Sequence, residues 1–266
     1  NDWSSSGYKP TPTIIQAAEA LFAGHSVKEI TRSESGAINL DKTASAALTA
    51  INKAKINKKK SLIFITGVPG SGKTLAGLEI ATSSRKKSHS DNEGVFLTGN
   101  GPLADVLREA LARDEVERTA VAKTEAMRNA KTFIQNIHHF RNEYLSDTNP
   151  PCEKVVVFDE AQRAWNLATT NNYMNKKHSI TDFNQSEPEF LLSVMARHPD
   201  WCAVVCLIGN GQEINSGEAG VSEWIKAAEE LEDFRQKLSI SAVYQEDLEH
   251  MPVDKAMGIL KEDPSK

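Results

Sequence analysis

Residues Ser61–Ala81 read SLIFITGVPGSGKTLAGLEIA, and this stretch decides the fold. Leu62 to Thr66 is short and apolar, the pattern of a strand buried on both faces. It stops at Gly67, and from Lys73 to about Ser83 apolar residues return at helical spacing. Between them, GVPGSGKT has the spacing of a phosphate-binding loop, with the strand before it and the helix after it that such a loop requires. Glycines at Gly67, Gly70 and Gly72 let backbone N–H groups turn toward phosphate oxygens, and the helix N-terminus adds its positive end. Pro69, Ser71 and Leu75 complete the loop expected around the nucleotide. Lys73 brings an ammonium to the terminal phosphates, and the Thr74 hydroxyl is a Mg²⁺ ligand, so ATP with Mg²⁺ is the expected cofactor.

Composition bounds that reading. The chain has 266 residues, enough for one large α/β domain or a domain with an appendage. Its formal charge of −5 gives no global basic signature of nucleic-acid binding, although a basic groove can sit on an acidic body. Cys152, Cys202 and Cys206 are too few for a disulfide scaffold, which points to a reducing, cytoplasmic setting. No apolar run is long enough for a membrane span, and no signal-peptide pattern is present, so no membrane partner is expected. The chain opens on Asn1 in NDWSSSGYKP, which reads as the interior of a longer protein.

Outward from the loop, strand and helix patterns alternate. Ile14, Ile15, Ala18, Leu21 and Phe22 predict a first helix stopped by Gly24, and Thr43 to Ile56 predicts a second. Lys55 to Lys60 reads as a charged linker. GVFLTG (Gly94–Gly99), KVVVFDEA and WCAVVCLIGNG are further strands. PLADVLREALARD, SEPEFLLSVMARH with a cap at Ser186, and EAGVSEWIKAAEELEDF are helices. AKTFIQNIHHFRNEYL reads as one amphipathic helix with Phe133, Ile137, Phe140 and Tyr144 on one side. Trp165 to Gln185 reads as a long polar loop, functional or mobile. The alternation predicts an α/β fold, a parallel sheet flanked by helices with an N-terminal helical segment. The expected division is 1–57 as the helical extension, 58–240 as the nucleotide domain, and 241–266 as the start of a further region.

VVVFDEAQR supplies the second half of a nucleotide site. Apolar residues deliver Asp159 to the end of a buried strand to hold Mg²⁺, and Glu160 follows as the group that activates water. A carboxylate placed to activate water suits hydrolysis better than transfer to a small acceptor. CLIGNGQEIN ends another buried strand, placing Gln212 beside the loop as a γ-phosphate sensor; the alternative is a loop that only caps a helix. His138 and His139 are adjacent, so a helix points them about 100° apart, a poor metal pair. Cys202, Cys206, Trp165, Trp201 and Trp224 read as packing residues. Arg163 suits either a phosphate or a local carboxylate, and Lys176 and Lys177 are the better nucleic-acid candidates in the long insertion.

The order GVPGSGKT, FLTGNGPLADVL, VVVFDEAQR, LIGNGQEIN resembles the first RecA-like half of superfamily-one helicases. FLTGNGPL, FIQNIHHF, DEAQRAW, SEPEFLL and GQEINSGEAGVSEW look more closely like the bacterial ATPases grouped with Schlafen-type DNA/RNA helicase domains. The resemblance covers about Pro10 to Phe234. It implies a RecA-like P-loop ATPase acting on single-stranded DNA or RNA, with Gln162 and Gln212 coupling the γ-phosphate to nucleic acid. It also implies that Thr98 to Pro102 touches strand backbone, although a plain β–α turn explains those residues equally well. Three departures stand out. Asn210 replaces the usual Asp, the adenine-reading glutamine falls by spacing near Ala47, and nothing after Ser239 resembles a second RecA-like half. The chain alone is therefore expected to bind ATP and turn it over slowly. The alternatives are a P-loop switch controlling a protein partner or oligomer, and a regulatory ATP-binding module without turnover.

Overall fold

In the computed structural model, residues 13–25, 34–86, 94–209, 216–231, 234 and 236–241 are described. Among them six strands form one sheet: β1 Lys60–Gly67, β2 Gly94–Thr98, β3 Ile134–Asn136, β4 Val155–Asp159, β5 Cys202–Gly209 and β6 Gln236–Ser241. Every pairing is parallel, in the order β3-β2-β4-β5-β1-β6. Parallel strands carry helical crossovers on both faces, so their residues are apolar on both sides. The alternation along β5 shows this directly. Ala203, Val205 and Leu207 join one core, while Cys202, Val204, Cys206 and Ile208 join the other.

The first core is covered by α1 Ile14–Ala23, α2 Glu34–Asn57, α3 Lys73–Lys86, α4 Gly101–Thr119 and α5 Lys123–Phe133. α1 begins in a reciprocal cap, with Thr13 accepting from the Gln16 N–H and Gln16 accepting from the Thr13 N–H. It ends at Gly24, whose φ of 108° no side chain adopts easily. α2 starts earlier than Thr43 because Leu40 extends the stripe of Ala44, Ala47, Ile51 and Ala54 by one turn. It also runs through Asn57, so the exposed lysine run starts in the helix, and only Lys58 and Lys59 connect it to β1 at Lys60.

The second core lies beneath α6 Ile137–Ser146, α8 Glu187–Ala196 and α9 Gly220–Glu230. The single helix expected across Ala130–Leu145 is instead α5, then β3, then α6. The reason is the sheet. Phe133 belongs to one core and Ile137, Phe140 and Tyr144 to the other, so the chain must pass through the sheet between them. Ile134 makes that passage paired with Phe96, and Asn136 restarts the helix by accepting from the His138 N–H at 2.9 Å. The expected loop Trp165–Gln185 contains α7, Leu167–His178, capped by Asn166 accepting from the Thr169 N–H. Its Asn-rich sequence has weak helix propensity, and burial of Thr170 and Met174 supplies what propensity does not. No described helix is long and apolar enough to cross a membrane.

Close approach fixes where α3 sits. A Cβ at Gly94 would fall 2.3 Å from the Ala81 carbonyl oxygen, and backbone cannot swing aside as a side chain can. Gly94→Ala is expected to cost about 2 kcal/mol in urea unfolding through overpacking; unchanged stability would show that β2 and α3 shift freely.

Candidate functional site

The loop after β1 closes on itself. Ser71 donates its N–H to the Val68 carbonyl at 3.2 Å, and Gly72 takes φ +84°. A Cβ at Gly72 would lie 2.5 Å from Leu40 Cδ2, so α2 packs against the loop at the residue where only glycine fits. Lys73 opens α3, and its buried Nζ donates to the Gly67 and Val68 carbonyls at 2.7 and 2.9 Å. Burial holds this ammonium below its ordinary pKa, while Glu160 and Asp159 pull it back up. Pro69 and Gly70 form the exposed tip, and Leu75 is half-buried against the first core.

Thr74, one residue into α3, donates its hydroxyl to Asp159 Oδ1 at 3.2 Å. Asp159 is the last residue of β4 and is 4% exposed. Burial, then the charge of Glu160, pushes its pKa up to about 6, against the Thr74 hydroxyl, the Glu160 N–H and Lys73. The hydroxyl and the carboxylate are both hard oxygen groups meeting at the helix N-terminus, a donor set that fits Mg²⁺. The glycine-shaped loop beside them fits phosphate.

Glu160 takes φ +53° and ψ +44°, a left-handed conformation unusual for a residue with a side chain. Gln162 Nε2 donates to Glu160 Oε2 at 2.5 Å, and Gln162 Oε1 accepts from the Gly209 N–H at 3.2 Å. Gln162 therefore ties the acid after β4 to the end of β5. Arg163 lies beside a local carboxylate, with Nε 3.6 Å from Glu160 Oε2. Below them the buried Trp224 donates its indole N–H to the Ala161 carbonyl at 2.8 Å and meets Phe158 edge-on. Gln212 and Asn210 lie outside the described residues.

From the Thr74–Asp159 corner a cleft of about 510 Å³ runs across the carboxyl ends of β4, β2 and β3. Thr98, Asn100, His138, Glu160, Arg163 and Trp165 are among its walls. Thr98 to Pro102 is a β–α turn in which Asn100 caps α4 by accepting from the Leu103 N–H at 3.1 Å, and the turn opens on this cleft. Behind the cleft the buried Arg141 guanidinium pairs with Glu187 at 2.9 Å and lies 4.7 and 4.5 Å from the ring centroids of Trp165 and Tyr173. Glu187 also accepts the Trp165 N–H at 3.0 Å. Burial, with the charges of Arg141 and His139, lowers the His138 pKa to about 4, so the ring packed on Trp165 is neutral.

The Arg141–Glu187 pair and the Trp224 contact had no sequence signal, because their partners lie 46 and 63 residues away. Cys202, Cys206, Trp201 and Trp224 are buried in the core as expected. Among the described residues no three His, Cys, Asp or Glu side chains gather as a metal cluster, so the Thr74–Asp159 corner offers one hydroxyl and one carboxylate rather than an all-protein cage. Lys176 and Lys177 are exposed in the last turn of α7, where the helix dipole favours them. Ala47 is fully buried and cannot reach a base.

The parallel sheet, the glycine-rich loop between β1 and α3, and the acid ending β4 define a P-loop nucleoside-triphosphatase fold. A model of the Schlafen group 3 DNA/RNA helicase domain matches residues 60–251, and the chain belongs to that family. No curated protein matches the chain. Among solved structures it is similar to the Pyrococcus furiosus Hef helicase domain, at 15% identity and a TM-score of 0.43, covering 76% of this chain and 38% of that one. A DNA replication initiation factor matches at 14% identity and a TM-score of 0.35, covering 90% and 54%. The FIGL-1 AAA domain in complex with ADP matches at 14% and 0.32, covering 74% and 52%. Likenesses this distant carry no argument about what this chain binds or does.

Trp224→Phe keeps the packing volume but leaves the buried Ala161 carbonyl without its donor. The expected cost is about 1–3 kcal/mol in urea unfolding; no change in stability would remove this contact as the support of the turn that carries Glu160.

Proposed function

We propose that this chain is an ATP-hydrolysing, helicase-like motor domain that couples nucleotide turnover to binding of single-stranded DNA or RNA. The observation that carries the ATPase reading is the 3.2 Å contact between Thr74 and Asp159. It joins the two halves of a Mg²⁺ site that lie 85 residues apart in sequence. Family membership supports the nucleic-acid part. Residues 58–240 are proposed as the nucleotide domain.

On this reading Gly67, Pro69, Gly70, Ser71, Gly72 and Leu75 form the phosphate loop, and Lys73 Nζ holds the terminal phosphates. Thr74 and Asp159 would hold Mg²⁺. Bound Mg²⁺–ATP supplies the anhydride to be cleaved and the cation that offsets its charge. Glu160 takes the proton from the attacking water, and Gln162 holds its carboxylate in place from the end of β5. Gln212 is proposed as the γ-phosphate sensor. The glutamate's left-handed backbone fixes the direction from which water is activated. An arginine finger raises such rates by about 10³–10⁵, and we place its source in a second lobe or partner, so that this chain alone turns over slowly.

Phosphate release by the complete gene product, with and without single-stranded nucleic acid, tests the reading. Lys73→Ala should abolish release together with nucleotide binding. Glu160→Gln should keep Mg²⁺–ATP binding and lower turnover by about 10²-fold or more, the usual contribution of a positioned base. Release that survives Lys73→Ala would place the chemistry elsewhere.

A further inference from the structure

The proposed hydrolysis needs the Glu160 carboxylate turned to water, yet a hydrogen bond from Gln162 Nε2 at 2.5 Å and an ion pair with Arg163, its Nε 3.6 Å away, engage it. The two differ in exposure. Gln162 is 3% exposed and anchored to the Gly209 N–H, whereas the Arg163 side chain is 49% exposed and lines the cleft. Arg163 is therefore the partner that a ligand entering from solvent can draw away.

The charges around the cleft say what kind of ligand that is. Glu187 is already matched by Arg141 at 2.9 Å, and Asp159 belongs to the Mg²⁺ corner. The Arg163–Glu160 contact remains as the pair in which one anion can replace another. A phosphodiester fits the rest of the wall. Gly99 would have nothing within 4 Å of a Cβ, which leaves the turn open to a backbone phosphate. Trp165 and His138, ring centroids 4.4 Å apart, pack on each other in the same wall and give it a rigid aromatic edge.

We propose that Arg163 is a positioning residue that holds Glu160 away from its water until a phosphodiester of single-stranded nucleic acid enters the cleft and takes the guanidinium. Occupancy of the cleft then releases Glu160 to act as base. The inference rests on the ATPase reading above and specifies how that site is regulated.

The test measures phosphate release by the complete gene product for wild type, Arg163→Ala and Arg163→Lys. Each is assayed alone and with oligo-dT or oligo-U of about twenty nucleotides, longer than one binding site. An uncharged methylphosphonate oligo-dT is the control. Arg163→Ala should raise turnover without nucleic acid roughly two- to fivefold, the range that loss of an exposed ion pair supplies. It should leave the charged oligonucleotides little further stimulation. Arg163→Lys should restore the low resting rate, and the uncharged oligonucleotide should stimulate none of the three. Apart from turnover, anisotropy of labelled oligo-dT should show a salt dependence shallower by about one phosphate contact in Arg163→Ala.

A resting rate in Arg163→Ala that stays level or falls, while a fluorescent ATP analogue still binds, overturns the proposal. So does stimulation by the uncharged oligonucleotide, or a wild type that neither oligo-dT nor oligo-U stimulates. In those cases turnover that Lys73→Ala abolishes leaves the ATPase reading standing. Absence of turnover in the wild type under every condition defeats that reading and this proposal with it.

Discussion

A hydroxyl at the start of one helix touches a carboxylate at the end of a strand, and the site depends on that contact. β1 and β4 are not neighbours; β5 lies between them. Thr74 reaches Asp159 because α3 leaves the end of β1 and crosses the sheet toward β2, passing over the end of β4. That path needs a helix that packs closely on the sheet. The β2 end of the path is set at Gly94, where the Ala81 carbonyl leaves no room for a side chain, and the loop end at Gly72, whose φ of +84° favours glycine and whose Cα faces Leu40. The N-terminal helix α2 is thus part of the nucleotide loop's support and shares the first core with the sheet.

The sheet supplies the rest by register. Asn136, Thr98 and Asp159 are paired across β3, β2 and β4, so three strands end on one row. Whatever follows each strand is delivered to the same edge: a helix cap after Asn136, an open turn after Thr98, and the acid pair at Asp159 and Glu160. In parallel sheets of this kind ligands gather beyond the carboxyl ends of the strands, where loops rather than core residues meet. The cleft follows that row from the Thr74–Asp159 corner toward β3.

What could be read in the sequence was what depends on neighbours in sequence. The phosphate loop, the buried strands β1, β4 and β5, and the caps at Thr13 and Ser186 each rest on residues within a turn or a strand of one another. What could not be read depends on the two faces of the sheet. The FIQN passage has helical periodicity on both sides, and only the assignment of Phe133 and Ile137 to opposite cores breaks it. α7 was hidden for a different reason: its Asn and Thr residues have weak helix propensity, and two buried side chains outweigh that. In the candidate site the carboxylates and the lysine were legible from spacing. Their supports, Trp224 beneath the turn and Arg141–Glu187 behind the cleft, are long-range pairings with no local pattern.

Local rules are broken most densely where the proposed chemistry sits. Lys73 and Asp159 are charged groups held in burial, and Glu160 is a side-chain-bearing residue in the left-handed region. Each arrangement has an energetic cost that the surroundings must offset, and such costs persist where a geometry is over-determined by its supports. Here the supports can be named. Trp224 fixes Ala161, the residue after Glu160, so the turn cannot relax by rotating the peptide that follows. Gly209 fixes Gln162, so the side chain holding Glu160 is itself anchored to a strand end. With backbone and one donor both fixed, the freedom left to Glu160 lies in its contact with Arg163, the exposed member of the group. A rigid turn with one exchangeable contact confines change to a side chain, while the sheet and the phosphate loop keep their positions.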